Sequence, residues 1–195
     1  MLDVLKSKLI EPLESVKGRK LTDVRYLDIG ISGAKHSDSG TGIHVVAHGV
    51  NLVFENDLSL YLHWDGVKGW VEYVLVCGNV DPIDDDQGYS MSDDANWKGL
   101  IQQPVFDFKI FGYKKHEIRT TDLQGTELEI RTYENEPHLV SLSFPHGKTV
   151  AFANFYFEEN YVPKLPVGDD VWAIFDEDVT VAAIRDHNFD KLDAE

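Results

Sequence analysis

A chain of 195 residues, 43% hydrophobic and 27% charged, suits one domain and carries enough apolar side chains for a packed core, which excludes a disordered chain. Its formal net charge of -16 argues against nucleic acid or an anionic membrane as natural partner, because a concentrated field repels its own sign. No run approaches the ~18 apolar residues of a membrane span, the N-terminus carries Asp3 and no apolar signal core, and the single cysteine, Cys77, rules out an internal disulfide; a cytoplasmic protein is the expectation.

Leu2, Leu5, Leu9, Leu13 and Val16 recur every three to four residues, one face of a helix. Pro12 interrupts the pattern, so either the helix ends near Ile10 or Pro12 opens a second turn that ends at Gly18. Beyond Gly18 the pattern turns strand-like. Gly30 through Gly42 reads as a Gly- and Ser-rich loop. Leu58, Leu60, Leu62 and Trp64 alternate with polar or amphipathic neighbours, Asp65-Gly66 is a tight-turn signal, and Trp70–Cys77 continues as strand.

Asp81 to Asn96 has loop composition. Further strands are expected at Leu128–Ile130, Val140–Phe144, Lys148–Phe157, Val171–Phe175 and Val179–Ile184, with turns at Gln124-Gly125 and Pro145-His146-Gly147. The fold class is therefore mainly β: antiparallel meanders in one or two packed sheets with an N-terminal helix. Lys17-Gly18 is echoed by Lys98-Gly99, and Leu52-x-Phe54 by Leu142-x-Phe144. The single domain 1–195 thus admits two similar halves, 17–80 and 98–160, joined by the acidic loop 81–97.

The negative charge is concentrated. Asp81, Asp84, Asp85, Asp86, Asp93 and Asp94 precede the next base, Lys98, and from Glu158 onward eleven acids face three bases. Trp97 closes the first segment and Trp172 follows Asp169-Asp170. Carboxylates around indole rings suit the Arg and Lys of a partner.

Catalytic and metal patterns are weaker. His44 and His48 have helical metal-ligand spacing, but on a strand they stand about 13 Å apart, too far to share a zinc. Asp84–Gly88 lacks the sixth-position glycine and closing glutamate of a helix-loop-helix calcium loop. Cys77 ends an apolar strand, where a buried structural thiol is usual. Glu127/Glu129 and Asp176/Asp178 are carboxylate pairs that a strand would point the same way. No phosphate-binding glycine loop and no Gly-x-Ser-x-Gly are present.

No catalytic residue, metal or cofactor is called for. The expected partner is a basic protein, met by Asp84, Asp85, Asp86, Asp93, Asp94, Trp97, Asp169, Asp170 and Trp172. This general character is similar to that of bacterial immunity and inhibitor proteins, a likeness of type that rests on no shared motif. The alternatives are a small-molecule or divalent-cation site in a β protein, an enzyme included, and an assembly subunit self-associating through its N-terminal helix.

Overall fold

The computed structural model describes residues 2–27, 42–66, 74–78, 88–121, 124–125, 127–154, 156–157, 163–165 and 170–192. The first element, α1, passes through Leu2–Leu5, a π-helical stretch Lys6–Ile10, and Glu11–Val16. Pro12 neither ends nor breaks it. Proline cannot donate to the carbonyl four residues back and its ring crowds that carbonyl. The preceding stretch widens instead, with Glu11 N–H donating to Lys6 O, a π-type bond. Leu5, Leu9, Leu13 and Val16 are fully buried, so the apolar stripe is spent on the protein's own core. Gly18, at φ +77°, turns the chain out of the helix where a side chain would be strained.

The strands follow in order: β1 Leu21–Leu27, β2 Ile43–Val46, β3 Gly49–Phe54, β4 Ser59–Asp65, β5 Val74–Gly78 and β6 Tyr89–Ser90. The short helix α2, Ala95–Lys98, leads to β7 Asp107–Thr121, β8 Glu127–Ser143, β9 Thr149–Ala153, β10 Tyr156–Phe157, β11 Pro163–Leu165 and β12 Val171–Ile174. Helix α3, Glu177–Asp186, and β13, Asp190–Lys191, close the described chain.

The fold is mainly β and antiparallel. One sheet has the order β5-β4-β3-β1-β6, the other β13-β7-β8-β9-β12-β2, and β10 and β11 form a separate ribbon. The two large sheets repeat one plan. The meander β1, β3, β4, β5 corresponds to β7, β8, β9, β12, and β6 and β13 attach at the β1 and β7 edges.

The turns repeat too. Phe54 N–H donates to Leu58 O at 2.7 Å across a turn with Asn56 at φ 65°, and Phe144 N–H donates to Lys148 O at 2.8 Å across a turn with His146 at φ 64°. Leu52-x-Phe54 and Leu142-x-Phe144 thus hold equivalent places, each leading into its turn. Strand pairing aligns Val24 with Leu52 and Phe108 with Leu142, so β1 and β7 match through Val24 and Phe108. The exception to the plan is β2, which leaves the first half and pairs with β12 of the second sheet.

A continuous core lies between the sheets. It joins α1 to Val24, Tyr26, Leu52, Phe54, Leu62, Trp97, Val140, Leu142 and Phe152. In β5, Val74, Leu75, Val76 and Cys77 are all buried, so this strand is covered on both faces, as a continuous apolar run requires.

The hairpin β7–β8 outruns its sheet. It pairs from Asp107↔Ser143 to Thr121↔Glu127. However, β9 reaches only Leu139–Ser143 and β13 only Phe111 and Gly112. Past that point it is a two-stranded arm about 30 Å long, at ~3.3 Å per residue, with no third strand among the described residues. The arm departs at a bulge between Phe111 and Gly112. Gly112 is required there, because a Cβ would lie 1.7 Å from Glu136 O.

Helix α3 corrects the strand expectation for Val179–Ile184. The β-branched run Val179-Thr180-Val181 favours a strand. Asp176 overrides it as an N-cap, its Oδ1 accepting from Asp178 N at 2.9 Å and Val179 N at 3.2 Å, a strong helix-start signal. Asp176 and Asp178 are therefore a cap and a first-turn residue, not a strand pair.

Candidate interaction surface

The acidic stretch that ends at Asp94 is fixed by the helix that follows. Asp94 caps α2, its Oδ1 accepting from Asn96 N at 2.9 Å. One turn later Trp97 is fully buried, stacked on Phe152 at 6.1 Å and edge-on to Phe175 at 4.9 Å. Its indole N–H donates to Tyr26 Oη at 2.7 Å.

Tyr26 Oη lies 2.7 Å from His44 Nδ1, and Asn96 Nδ2 lies 3.1 Å from His44 Nε2. The Tyr26 hydroxyl, which accepts from Trp97, thus links the indole to one imidazole nitrogen, and Asn96 closes the chain at the other. Asp94 Oδ1 is 3.8 Å from Nε2. These groups lie in a low-dielectric interior, where a satisfied network fixes one arrangement and a broken one is costly.

His44 belongs to β2, paired with Ala173 of β12, and thereby brings in the second acidic segment. Phe175 N–H donates to Gly42 O at 2.8 Å. A Cβ on Gly42, whose φ is +71°, would meet Phe175, Asn96 Oδ1 and Asp176 N within 4.0 Å. Asn96, Leu100, Lys148, Thr149, Phe175 and Glu177 line one open depression of about 330 Å³. The described ends of the two acidic segments, Asp94-Ala95-Asn96 and Asp176-Glu177, therefore lie at one place. Glu177 lines the depression, Asp94 and Asp176 cap the two helices beside it, and Asp93 and Asp178, their neighbours in the chain, are exposed. Lys148 sits in the same wall, with its Nζ donating to Gly99 O at 3.0 Å.

The residues expected to meet a partner divide accordingly. Asp94 is the helix cap beside the depression, and Asp93, the residue before it, is exposed. Trp97 has no exposed area and acts as its anchor from within. Asp170 and Trp172 are half-buried, Asp170 standing at the opposite end of β12 from Phe175. Asp84, Asp85, Asp86 and Asp169 lie outside the described residues. Glu177 and Asp178 were not singled out for this face, because a strand reading of 179–184 hides the helix start that presents them.

His48 packs against Tyr61 and Trp64 at 6.3 Å, away from His44 and its buried network. No group of three His, Cys, Asp or Glu side chains among the described residues is arranged to hold a metal ion. Burial pushes the Cys77 thiol far above its ordinary range, which suppresses the nucleophilic thiolate. Glu127 is on the arm, 3.4 Å from Arg119. No helix among the described residues is long and apolar enough to cross a membrane.

A second buried polar group, not singled out in the sequence, sits at the base of the arm. Glu136, His138 and Asn154 are at most 1% exposed. His138 Nδ1 lies 3.3 Å from Asn154 Oδ1, and its ring stacks on Phe189 at 5.6 Å. Burial and then the nearby Glu136 raise the Tyr113 hydroxyl pKa, and burial lowers that of His187 against the pull of Asp186. The signal was parity: Glu136 and His138 extend the row of Val140 and Leu142 backwards, but Pro137 makes the run look like a loop.

Comparison of the chain with family models, curated proteins and solved structures finds no match.

Proposed function

We propose that this protein is a binding module whose converged acidic face receives a basic protein partner, in the manner of an immunity or inhibitor protein. The supporting observation is that Asn96, next but one to the Asp94 cap, and Glu177, next to the Asp176 cap, line one depression, with exposed Asp93 and Asp178 adjoining those caps in sequence. Two segments far apart in sequence supply carboxylates to one surface, and the buried Trp97–Tyr26–His44 chain holds that surface rigidly. A rigid face whose exposed carboxylates Asp93, Glu177 and Asp178 outnumber its one lysine, Lys148, steers a partner of positive charge and loses little entropy when it docks. Phe175 adds an aromatic floor for a guanidinium or ammonium group.

The test is capture from the source lysate by tagged wild-type protein and by the triple variant Asp93→Asn, Glu177→Gln, Asp178→Asn, at low and at high salt. Asp94 and Asp176 are left intact because they cap helices. The reading expects a stoichiometric basic protein that is lost at high salt and lost by the variant. Equal capture by both forms, or a partner insensitive to salt, would refute it.

A further inference from the structure

Helix α3 and β13 form a strap across the outer face of the second sheet. Ala183 and Phe189 pack there with Leu139, Ala151, Ala153 and Ile174, a small cluster apart from the main core. The alternate residues Val140, Phe152 and Ala173 face that core instead. A unit with its own small cluster opens more readily than the fold as a whole. The far end of the strap is thinly held. β13 is two exposed residues, paired with Phe111 and Gly112 at the bulge where the arm departs, and Leu192 N–H then donates to Ile110 O at 2.9 Å.

Phe189 seats the strap, and two imidazoles stack on its buried ring. His138 lies 5.6 Å from it at 13°, His187 lies 5.0 Å from it at 17°, and Tyr113 meets it edge-on at 5.1 Å. His138 is the extra residue of the bulge: Leu139 pairs with Phe111 and Pro137 with Gly112, leaving His138 unopposed. Bulges re-aim a side chain in this way. The ionisable neighbours among the described residues are Tyr113 from β7, Glu136 from β8, Asp186 from α3, and Asp190 and Lys191 from β13. Of these Glu136 is fully buried, whereas Asp186, Asp190 and Lys191 are exposed. Asn154 supplies the neutral contact, its Oδ1 3.3 Å from His138 Nδ1.

A proton on either imidazole places a cation against an apolar ring. The attraction of a ring face for a cation offsets only part of the hydration that a buried cation forfeits. Burial accordingly holds the His187 pKa below its ordinary value, against the pull of Asp186. Asp186 is itself engaged with Arg185 at 2.7 Å. Glu136, the one buried carboxylate of the group, can balance one added charge and not two.

We infer that the α3–β13 strap is a latch released by acid: with His138 and His187 protonated, Phe189 lifts from the base of the arm and β13 leaves the edge of β7. In the opened form both imidazoles meet water and take up a proton near 6.5. The opened form therefore binds protons that the closed form does not, and a fall in pH through that value favours opening. Release bares backbone N–H and C=O groups along β7 at the root of the arm, an edge able to accept another strand. The inference is independent of the acidic-face reading.

The test is amide hydrogen exchange of the full chain at about pH 7.5 and about pH 5.5, on either side of the histidine range, corrected for the chemical pH dependence of exchange. The reporters are the amides of Phe189 and Leu192, which donate to Ile184 O and Ile110 O at 2.9 Å. Their opening should rise at least about tenfold in acid, the factor for one pKa unit gained on opening, and by more than that of amides in β3 and β4. His187→Asn and His138→Gln should each shrink the rise, and the double variant should remove it. If the buried His138 tolerates no replacement, the half-buried His187 decides alone. Exchange at Phe189 and Leu192 that is unchanged or slower in acid would overturn the inference. So would a rise no larger than in β3 and β4, which is opening of the whole fold, or a His187→Asn variant that responds as fully as wild type.

Discussion

Asp94 Oδ1 accepts the N–H of Asn96 at 2.9 Å and stands 3.8 Å from His44 Nε2. One carboxylate oxygen thus starts a helix and faces a histidine buried between the sheets. Through this junction the acidic stretch is anchored to the core, and through β2 and β12 that core reaches the second acidic segment.

The anchor is testable by its stability. Trp97→Phe keeps most of the ring but removes the donor to Tyr26. A buried polar group that loses its partner costs about 1–3 kcal/mol. Trp97→Ala adds a cavity, for a total of about 3–5 kcal/mol. Urea unfolding should rank the variants in that order with an unchanged m-value. Equal stability of Trp97→Phe and wild type would mean that the indole N–H does not hold the network.

Gly112 should tolerate no side chain. The Cβ of Gly112→Ala would meet the backbone oxygen of Glu136 at 1.7 Å, and a backbone group cannot rotate aside. A loss of at least about 3 kcal/mol, the upper end for overpacking, or failure to fold is expected in thermal unfolding. Gly125→Ala in the distal turn meets nothing within 4 Å. Its cost should be only that of its φ of +82°, about 1 kcal/mol.

The α3 cap separates structure from binding. Asp176→Ala removes an acceptor shared by two backbone N–H groups and should cost about 1 kcal/mol. Glu177→Gln, one residue later and exposed, should leave stability nearly unchanged and weaken partner capture. The contrast between unfolding and binding data identifies which carboxylate belongs to the fold and which to the face.

Acid should destabilise the protein before its carboxylates titrate. Burial, opposed by the Trp64 carbonyl and Asp65, lowers the His63 pKa below 6.5, and burial lowers that of His187 against Asp186. In the unfolded chain both imidazoles take up a proton near 6.5. As pH falls through that value the unfolded state binds protons that the folded state does not, so stability declines. Denaturation midpoints should fall between about pH 7 and pH 5, and His63→Gln should flatten that slope. A midpoint that rises with acidification would contradict the assignment.

Much of the fold was legible in the sequence because its signals are local. The alternation through Leu60, Leu62 and Trp64, the Asp65-Gly66 stop and the leucine stripe of α1 each encode their own element. The Leu52-x-Phe54 and Leu142-x-Phe144 echo marks two turns that coincide in backbone geometry. What escaped is set by long-range pairing. Nothing in Ile43–Val46 tells that this strand pairs with Val171–Ile174. Yet that pairing carries His44 to Asn96 and brings the Asp176 cap to the same place as the Asp94 cap. In the sequence Trp97 admits both a core ring and a ring that meets a partner's cations, and the cap at Asp94 turns it inward.

The most direct test of a single acidic face is the association rate with the captured basic partner, measured against ionic strength. Wild type would be compared with Asp93→Asn, with Glu177→Gln/Asp178→Asn, and with the combined variant. The account predicts that each change slows association and reduces the salt dependence, and that the combination does both further, because the two segments act on the same approaching charge. A rate that responds to only one segment, or to neither, would contradict it.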